Sequence, residues 1–163
     1  MKKSGKTRIA TFLIKSLKHR YRILSIKHSC ESNFDIDKQG KDSWRMKKAG
    51  AYTVTILSDK KLAIISDADN IDPLQMVTDL ENLLRVEFDL VLIEGFSRLV
   101  GQNKNVFKII AAKSTNDFKE IIKNVDEKIL AVVSSEKIRT DYPTISFDEM
   151  DKLLELLERI LSP

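Results

Sequence analysis

Residues Ser4-Gly5-Lys6-Thr7, running on into Arg8-Ile9-Ala10-Thr11-Phe12-Leu13, carry the strongest local signal in the chain. In loops of the form G-x-x-x-x-G-K-[ST], glycine lets the backbone approach phosphates closely. Backbone N–H groups and the N-terminus of the following helix then cradle the anion. The lysine reaches the β- and γ-phosphates, and the Thr hydroxyl ligates Mg²⁺. A bare Gly-Lys-Thr is a weak pattern, but its position strengthens it. From Thr7 to His19 the apolar residues Ile9, Phe12, Leu13 and Leu17 fall at helical spacing, so the motif opens an amphipathic helix. Ser4, Gly5, Lys6, Thr7 and Arg8 are therefore candidate nucleotide-binding residues, and Thr7 is a candidate metal ligand.

The full pattern puts its first glycine one residue ahead of Met1, and the strand that delivers such a loop would also lie ahead of Met1. In this architecture that strand runs inside the sheet. A strand of about 5–6 residues buries several apolar side chains at about 1.5–3 kcal/mol each. Its loss, of order 5–10 kcal/mol, compares with a domain's whole net stability of about 5–15 kcal/mol. The expectation is a natural start upstream of Met1, or a replacement by another chain or a rearranged strand.

Downstream of the loop, strands and helices alternate. Ile23 to Ile26 reads as a short strand. A polar stretch from His28 to Lys41 follows, and then a short helix through Ala49 that Asp42 is expected to cap, with Gly50 at its C-terminus. Val54 to Leu57 and Leu62 to Ile65 read as a hairpin across Ser58-Asp59-Lys60. Asp72-Pro73 is a helix start, continued by Leu74, Val77, Leu80 and Leu84. Asp89-Leu90-Val91-Leu92-Ile93 reads as a strand buried on both faces. Phe107 to Ala112 and Ile129 to Val133 are similar runs, with a helix through Phe118, Ile121, Ile122 and Val125 between them. Ser146 and Glu149 form a capping box before the final amphipathic helix of Met150, Leu153, Leu154, Leu157 and Leu161. This pattern predicts one α/β domain over residues 1–163, P-loop NTPase-like, with a mostly parallel sheet, flanking helices and an inserted β-hairpin region.

The composition is that of an ordinary folded domain. The chain has 163 residues, 42% of them apolar and 32% charged, with a net charge of +4 spread over scattered lysines. No concentrated basic stripe with interleaved aromatics argues for nucleic acid, and no apolar run approaches the roughly 18 residues of a membrane span. The one cysteine, Cys30, allows no internal disulfide and points to a reducing, cytoplasmic setting.

Glu94-Gly95 follows the apolar strand, and the C-terminal tip of such a strand is where α/β proteins place ligand chemistry. In phosphate-loop proteins an acid there holds Mg²⁺ directly or through water. Asp35 and Asp37 flank Ile36. Strand-like alternation would set both carboxylates on one side with Ile36 inward, suiting a hard cation or an attacking water. A solvated loop explains the same spacing. His28 and Cys30 are too few for a zinc site, which takes four ligands, and Trp44 is a core or partner contact rather than a base-stacking platform.

Taken together, Lys27-His28, then Phe34-Asp35-Ile36-Asp37-Lys38-Gln39-Gly40-Lys41-Asp42-Ser43-Trp44, then Ala49-Gly50-Ala51, resembles the molybdopterin-guanine dinucleotide biosynthesis protein B (MobB) family. Asp89-Leu90-Val91-Leu92-Ile93-Glu94-Gly95-Phe96 is similar to that family's second signature, and with Ser4-Gly5-Lys6-Thr7 the motifs stand in the family's order. The resemblance implies a P-loop fold with an inserted β region, a homodimer, and GTP bound with Mg²⁺ and hydrolysed slowly at most. It also implies assistance to the MobA-type guanylyltransferase that joins GMP to molybdopterin. Carried over by motif, Lys6 and Thr7 hold phosphate and Mg²⁺, with Gly95 beside them, while Asp37 and Glu94 complete the metal and water side as the catalytic pair. The histidines common in the family after the Lys27-His28 position are replaced by Ser29, Cys30 and Glu31. No guanine-reading N-K-x-D motif occurs, so GTP is implied by the resemblance alone.

Two other readings compete. A small P-loop kinase or GTPase with real turnover would use a charge-stabilising arginine, for which Arg8 and Arg98 are the candidates. A nucleotide-free interaction protein would follow if the incomplete loop no longer bound phosphate.

Overall fold

The computed structural model describes residues 4–31, 34–125 and 127–161. In chain order its elements are α1 (Lys6–Leu17), β1 (Ile23–Lys27), α2 (Asp42–Lys48), β2 (Thr53–Leu57), β3 (Leu62–Ser66), α3 (Pro73–Leu84), β4 (Leu90–Glu94), α4 (Ser97–Val100), β5 (Lys108–Ala111), α5 (Thr115–Ile122), β6 (Ile129–Val133), β7 (Thr144–Ile145) and α6 (Met150–Leu161). Two compact units result. Met1–His28 and Pro73–Pro163 form one, and Ser29–Asp72 forms the other.

In the larger unit, Ile9, Leu13 and Leu17 lie four residues apart on α1, and all three are buried. They pack with Ala111, Ala131, Val133, Ile145 and, from α6, Met150, Leu153 and Leu157. The alternate residues of the same strands, Ile110, Ala112 and Val132, turn to the opposite face and meet Phe118 and Ile138. Period-2 alternation in β5 and β6 thus supplies two cores, one under α1 and α6 and one under α5. Ser114 caps α5, its side chain accepting a hydrogen bond from the Asp117 N–H.

All strand pairs of this unit are parallel, and among the described residues they form two sheets, β1-β4 and β5-β6-β7. The register of the first runs from Ile23 beside Leu90 to Lys27 beside Glu94. Asp89 pins its start, since the Arg22 N–H donates to Asp89 Oδ2 at 2.6 Å and the Asp89 N–H donates back to the Arg22 carbonyl at 3.0 Å. The expected burial of β4 on both faces is corrected. Every residue of Leu90–Glu94 is only half-buried, and among the described residues the strand has a hydrogen-bonded neighbour on one side only. β5 and the C-terminal half of β6 do show the burial expected of an apolar run.

The smaller unit holds the antiparallel hairpin β2-β3, with Thr53 paired to Ser66 and Leu57 to Leu62, and α2 lies against β2. Asp42 is not the cap of α2 as expected. Lys41, in extended conformation, occupies that position, and Asp42 stands in the first turn, where a negative charge favours the helix dipole. At the other end Gly50 ends the helix as predicted. With φ +106° it donates to the Lys47 carbonyl, and Ala51 donates to that of Met46, a complete Schellman motif. At the start of α6 the expected capping box is modified. The Ser146 hydroxyl accepts from the Asp148 N–H at 3.1 Å, and the Glu149 carboxylate pairs with Lys152. That lysine, with a smaller contribution from the Ser146 backbone, holds the Glu149 carboxyl below its ordinary value.

No atom lies within 4 Å of a Cβ built on Gly50, so replacing it tests backbone conformation alone. Gly50→Ala is expected to cost about 1–2 kcal/mol, the penalty of a left-handed residue that carries a Cβ. Urea unfolding followed by circular dichroism should show it as a lower midpoint. An unchanged midpoint would remove Gly50 as the constraint on the α2 exit.

Candidate functional site

Gly5 is the residue from which the site is built. It precedes α1 in a left-handed conformation, φ +88°, and no side chain caps the helix behind it. The first turn contains no acid, while Lys6 and Arg8 stand in it. Cations at a helix N-terminus oppose the helix dipole, and N–H groups left without a side-chain cap can take an anion instead.

Gly5 is also fixed by packing. A Cβ at this position would lie 2.2 Å from Cζ of Phe147, whose ring sits against the loop just after β7. Arg8 reinforces the contact, its guanidinium 4.8 Å from the same ring centroid, with Nη2 donating to the Phe147 carbonyl at 3.3 Å. Lys6 Nζ donates to Ser4 Oγ at 2.9 Å, which folds the loop lysine back over its own turn.

Thr7 reaches the second motif. Its hydroxyl lies 3.0 Å from both carboxylate oxygens of Glu94, 87 positions away, at the C-terminal tip of β4. The Glu94 side chain is only 14% exposed, and the Lys27 ammonium sits 3.0 Å from its Oε1. Behind it Gly95 takes φ +94°, and a Cβ there would stand 2.6 Å from the His28 Cβ. Phe96 is also left-handed, and its ring lies 4.7 Å from that of His28. The chain thus turns sharply at Gly95-Phe96 and leaves the Glu94 carboxylate at the strand end beside Thr7.

Ser4, Gly5, Lys6, Thr7, Arg8, Glu94 and Gly95 all belong to the larger unit, and the structure brings the two motifs into direct contact through Thr7 and Glu94. Asp37 belongs to the smaller unit. The strand-like alternation expected around it is corrected. Ile36 is 77% exposed, and the Asp37 N–H donates to Asp35 Oδ1 at 3.0 Å, so the backbone turns through a local side-chain hydrogen bond instead of extending. Asp37 Oδ1 accepts from the Lys38 N–H at 2.8 Å and from the Ser43 hydroxyl at 3.1 Å. Its other oxygen, Oδ2, is buried without a hydrogen-bond partner among the described residues. Trp44 is half-buried, with Lys48 Nζ 5.7 Å from its ring centroid. Cys30 is an exposed free thiol.

Two contributors escaped the sequence reading. Lys27 follows from the β1-β4 register, and pairing the two strands from their tips would have found it. Phe147 carries no sequence signal, because its role depends on a contact across most of the chain.

A phosphate loop at the N-terminus of α1, answered by an acid at the tip of a parallel strand, defines an α/β P-loop NTPase-like protein. The family model "MobB: Molybdopterin guanine dinucleotide synthesis protein B" matches residues 1–135. The chain belongs to the MobB family. It is 31% identical over 159 residues to a molybdopterin-guanine dinucleotide biosynthesis adapter protein of Haemophilus influenzae, covering 97% of this chain and 84% of that protein. To the adapter protein of the same name from Escherichia coli it is 25% identical, covering 94% and 85%. A crystal structure of molybdopterin-guanine biosynthesis protein B superimposes with a TM-score of 0.71 at 26% identity, covering 98% of this chain and 93% of that one.

Position 5 should therefore tolerate only glycine. Gly5→Ala is expected to cost about 2–5 kcal/mol, combining left-handed strain with overpacking against Phe147. In Gly5→Ala/Phe147→Ala the clash is gone and the strain stays. The double variant should thus be more stable than the sum of the single effects by at least about 1 kcal/mol in denaturant unfolding. Strict additivity would show that Phe147 does not pack on the loop.

Proposed function

We propose that this chain is a GTP-binding accessory protein in the assembly of molybdopterin guanine dinucleotide, working beside the guanylyltransferase that joins GMP to molybdopterin. The observation that carries the reading is the contact of Thr7 with Glu94 at the uncapped, basic N-terminus of α1. The names of the relatives support the pathway, and the adapter in those names supports an assisting role.

In this reading, Ser4, Gly5, Lys6 and Arg8 bind phosphate through the N–H groups of the loop and its two cations. Mg²⁺ fits the donor set, which is all oxygen, as a hard cation requires. The Thr7 hydroxyl and the sheltered Glu94 carboxylate face each other, and Asp37 is proposed as a further oxygen ligand on its sequence motif alone. Bound there, the ion would neutralise phosphate charge. Glu94 and Asp37 are the residues proposed to orient water for slow hydrolysis. Gly95 keeps the strand end free of a side chain beside that position.

A homodimer belongs to the same proposal. Hairpin β2-β3 exposes Ile56, Leu57, Leu62 and Ile64, with Tyr52 exposed just ahead of it, and a two-stranded hairpin is marginal in water without further packing. A second copy of the chain supplies that packing. The protein is proposed to act in the cytoplasm, and no helix among the described residues is long and apolar enough to cross a membrane.

Calorimetric titration with Mg-GTP and Mg-ATP tests the nucleotide reading. Saturable GTP binding is expected, weakened about 10- to 150-fold in Lys6→Ala, which removes a charge-assisted phosphate contact worth about 1.5–3 kcal/mol. Absence of GTP binding to the wild-type chain would overturn the reading. Sedimentation equilibrium tests the dimer. Leu57→Glu/Ile64→Glu should weaken self-association by at least about tenfold, and a wild-type protein that sediments as a monomer would rule the dimer out.

A further inference from the structure

The register of β1 and β4 ends both strands with charged residues side by side, Lys27 against Glu94. The ammonium is 3.0 Å from Oε1, and the side chains differ sharply in shelter, with Glu94 14% exposed and Lys27 61%. A carboxylate withdrawn this far from water needs donors or positive charge, and here it has both, the Thr7 hydroxyl at 3.0 Å and the Lys27 ammonium. An ammonium and a divalent cation cannot share that position, since each needs the same oxygen and they repel one another. The lysine stem lies largely in solvent, so its head can leave with little packing lost. Its cross-strand place keeps it within reach of any anion at the N-terminus of α1, because Thr7 of that helix touches the same carboxylate.

We infer that Lys27 is a tethered counter-ion of the metal position. It holds Glu94 neutralised until a nucleotide's phosphates draw the ammonium away, so divalent cation and nucleotide bind as a coupled pair and the cation alone binds poorly. The inference rests on the phosphate-loop reading of Thr7 and Glu94. Lys27 acts through Glu94 and is a positioning residue.

Titrating the full chain with Mn²⁺ in the absence of nucleotide, and reading free Mn²⁺ by electron paramagnetic resonance, tests it. Lys27→Met is expected to bind Mn²⁺ about 5- to 20-fold more tightly than wild type, the size of an ordinary coupling between sites. Lys27→Arg, which keeps the charge, should behave as wild type. The gain should vanish in Lys27→Met/Glu94→Gln, which ties it to this carboxylate. In calorimetry, GTP binding by Lys27→Met should reach saturation at lower Mg²⁺ than wild type. Unchanged or weaker Mn²⁺ binding in Lys27→Met, or a gain that survives Glu94→Gln, would overturn the inference. A wild-type chain that fails to bind GTP would overturn the nucleotide reading instead, and the nucleotide-free Mn²⁺ comparison would still decide the role of Lys27.

Discussion

Everything at the Ser4-Gly5-Lys6-Thr7 loop depends on how α1 is held. Ile9, Leu13 and Leu17 lock one stripe of the helix onto the residues of β5, β6, β7 and α6 that form the main core. Burial of side chains of this size contributes about 1.5–3 kcal/mol each, enough to fix the helix along its length. The loop at its start therefore needs no cap of its own. Gly5 can adopt φ +88° and leave the first N–H groups uncapped because the stability of the helix comes from its other end and its inner face. The same docking brings Thr7 to the tip of β4, so core and site are set by a single placement.

Much of this was legible in the sequence, for reasons that differ from element to element. The stripe in α1, the apolar runs of β5 and β6, the hairpin and the glycine after α2 are local patterns, and local patterns survive folding. The Ser4-Gly5-Lys6-Thr7 turn ahead of a helix and Glu94 at a strand tip were legible as positions, and their mutual contact through Thr7 was not. The half-burial of β4 was not, because an apolar run records what a strand prefers and not how many neighbours it obtains. Asp42 was misplaced by one residue for a similar reason. Lysine at position 41 is no favoured cap, and only the backbone conformation there identifies it. The turn at Asp35-Ile36-Asp37 defeated the alternation argument because a side-chain hydrogen bond outcompetes an extended backbone over so short a stretch. Lys27 and Phe147 depend on pairing and packing between distant segments, which spacing along the chain does not encode.

The two compact units solve different problems. The larger one surrounds its strands with helices and buries apolar side chains on both faces of β5 and β6. The smaller one buries little. Among its apolar strand residues only Val54 is fully buried, and cross-strand contacts such as Thr53 to Ser66 at 2.8 Å hold the hairpin. Backbone pairing and one helix give it shape, and most of its apolar side chains stay exposed.

The ring of Phe147 against Gly5 has a consequence for how the molecule is made. Arg8 and Phe147, which meet over that ring, are 139 positions apart, so the loop at the start of the chain is braced by a residue close to its end. During synthesis α1 emerges well before its brace and the partners it needs from α6. A nascent chain halted before residue 147 would carry the whole Ser4-Gly5-Lys6-Thr7 motif with nothing packed upon it. Packing of the loop therefore waits for the synthesis of Phe147 and α6, and truncations ahead of Phe147 should leave the Ser4-Gly5-Lys6-Thr7 turn unbraced.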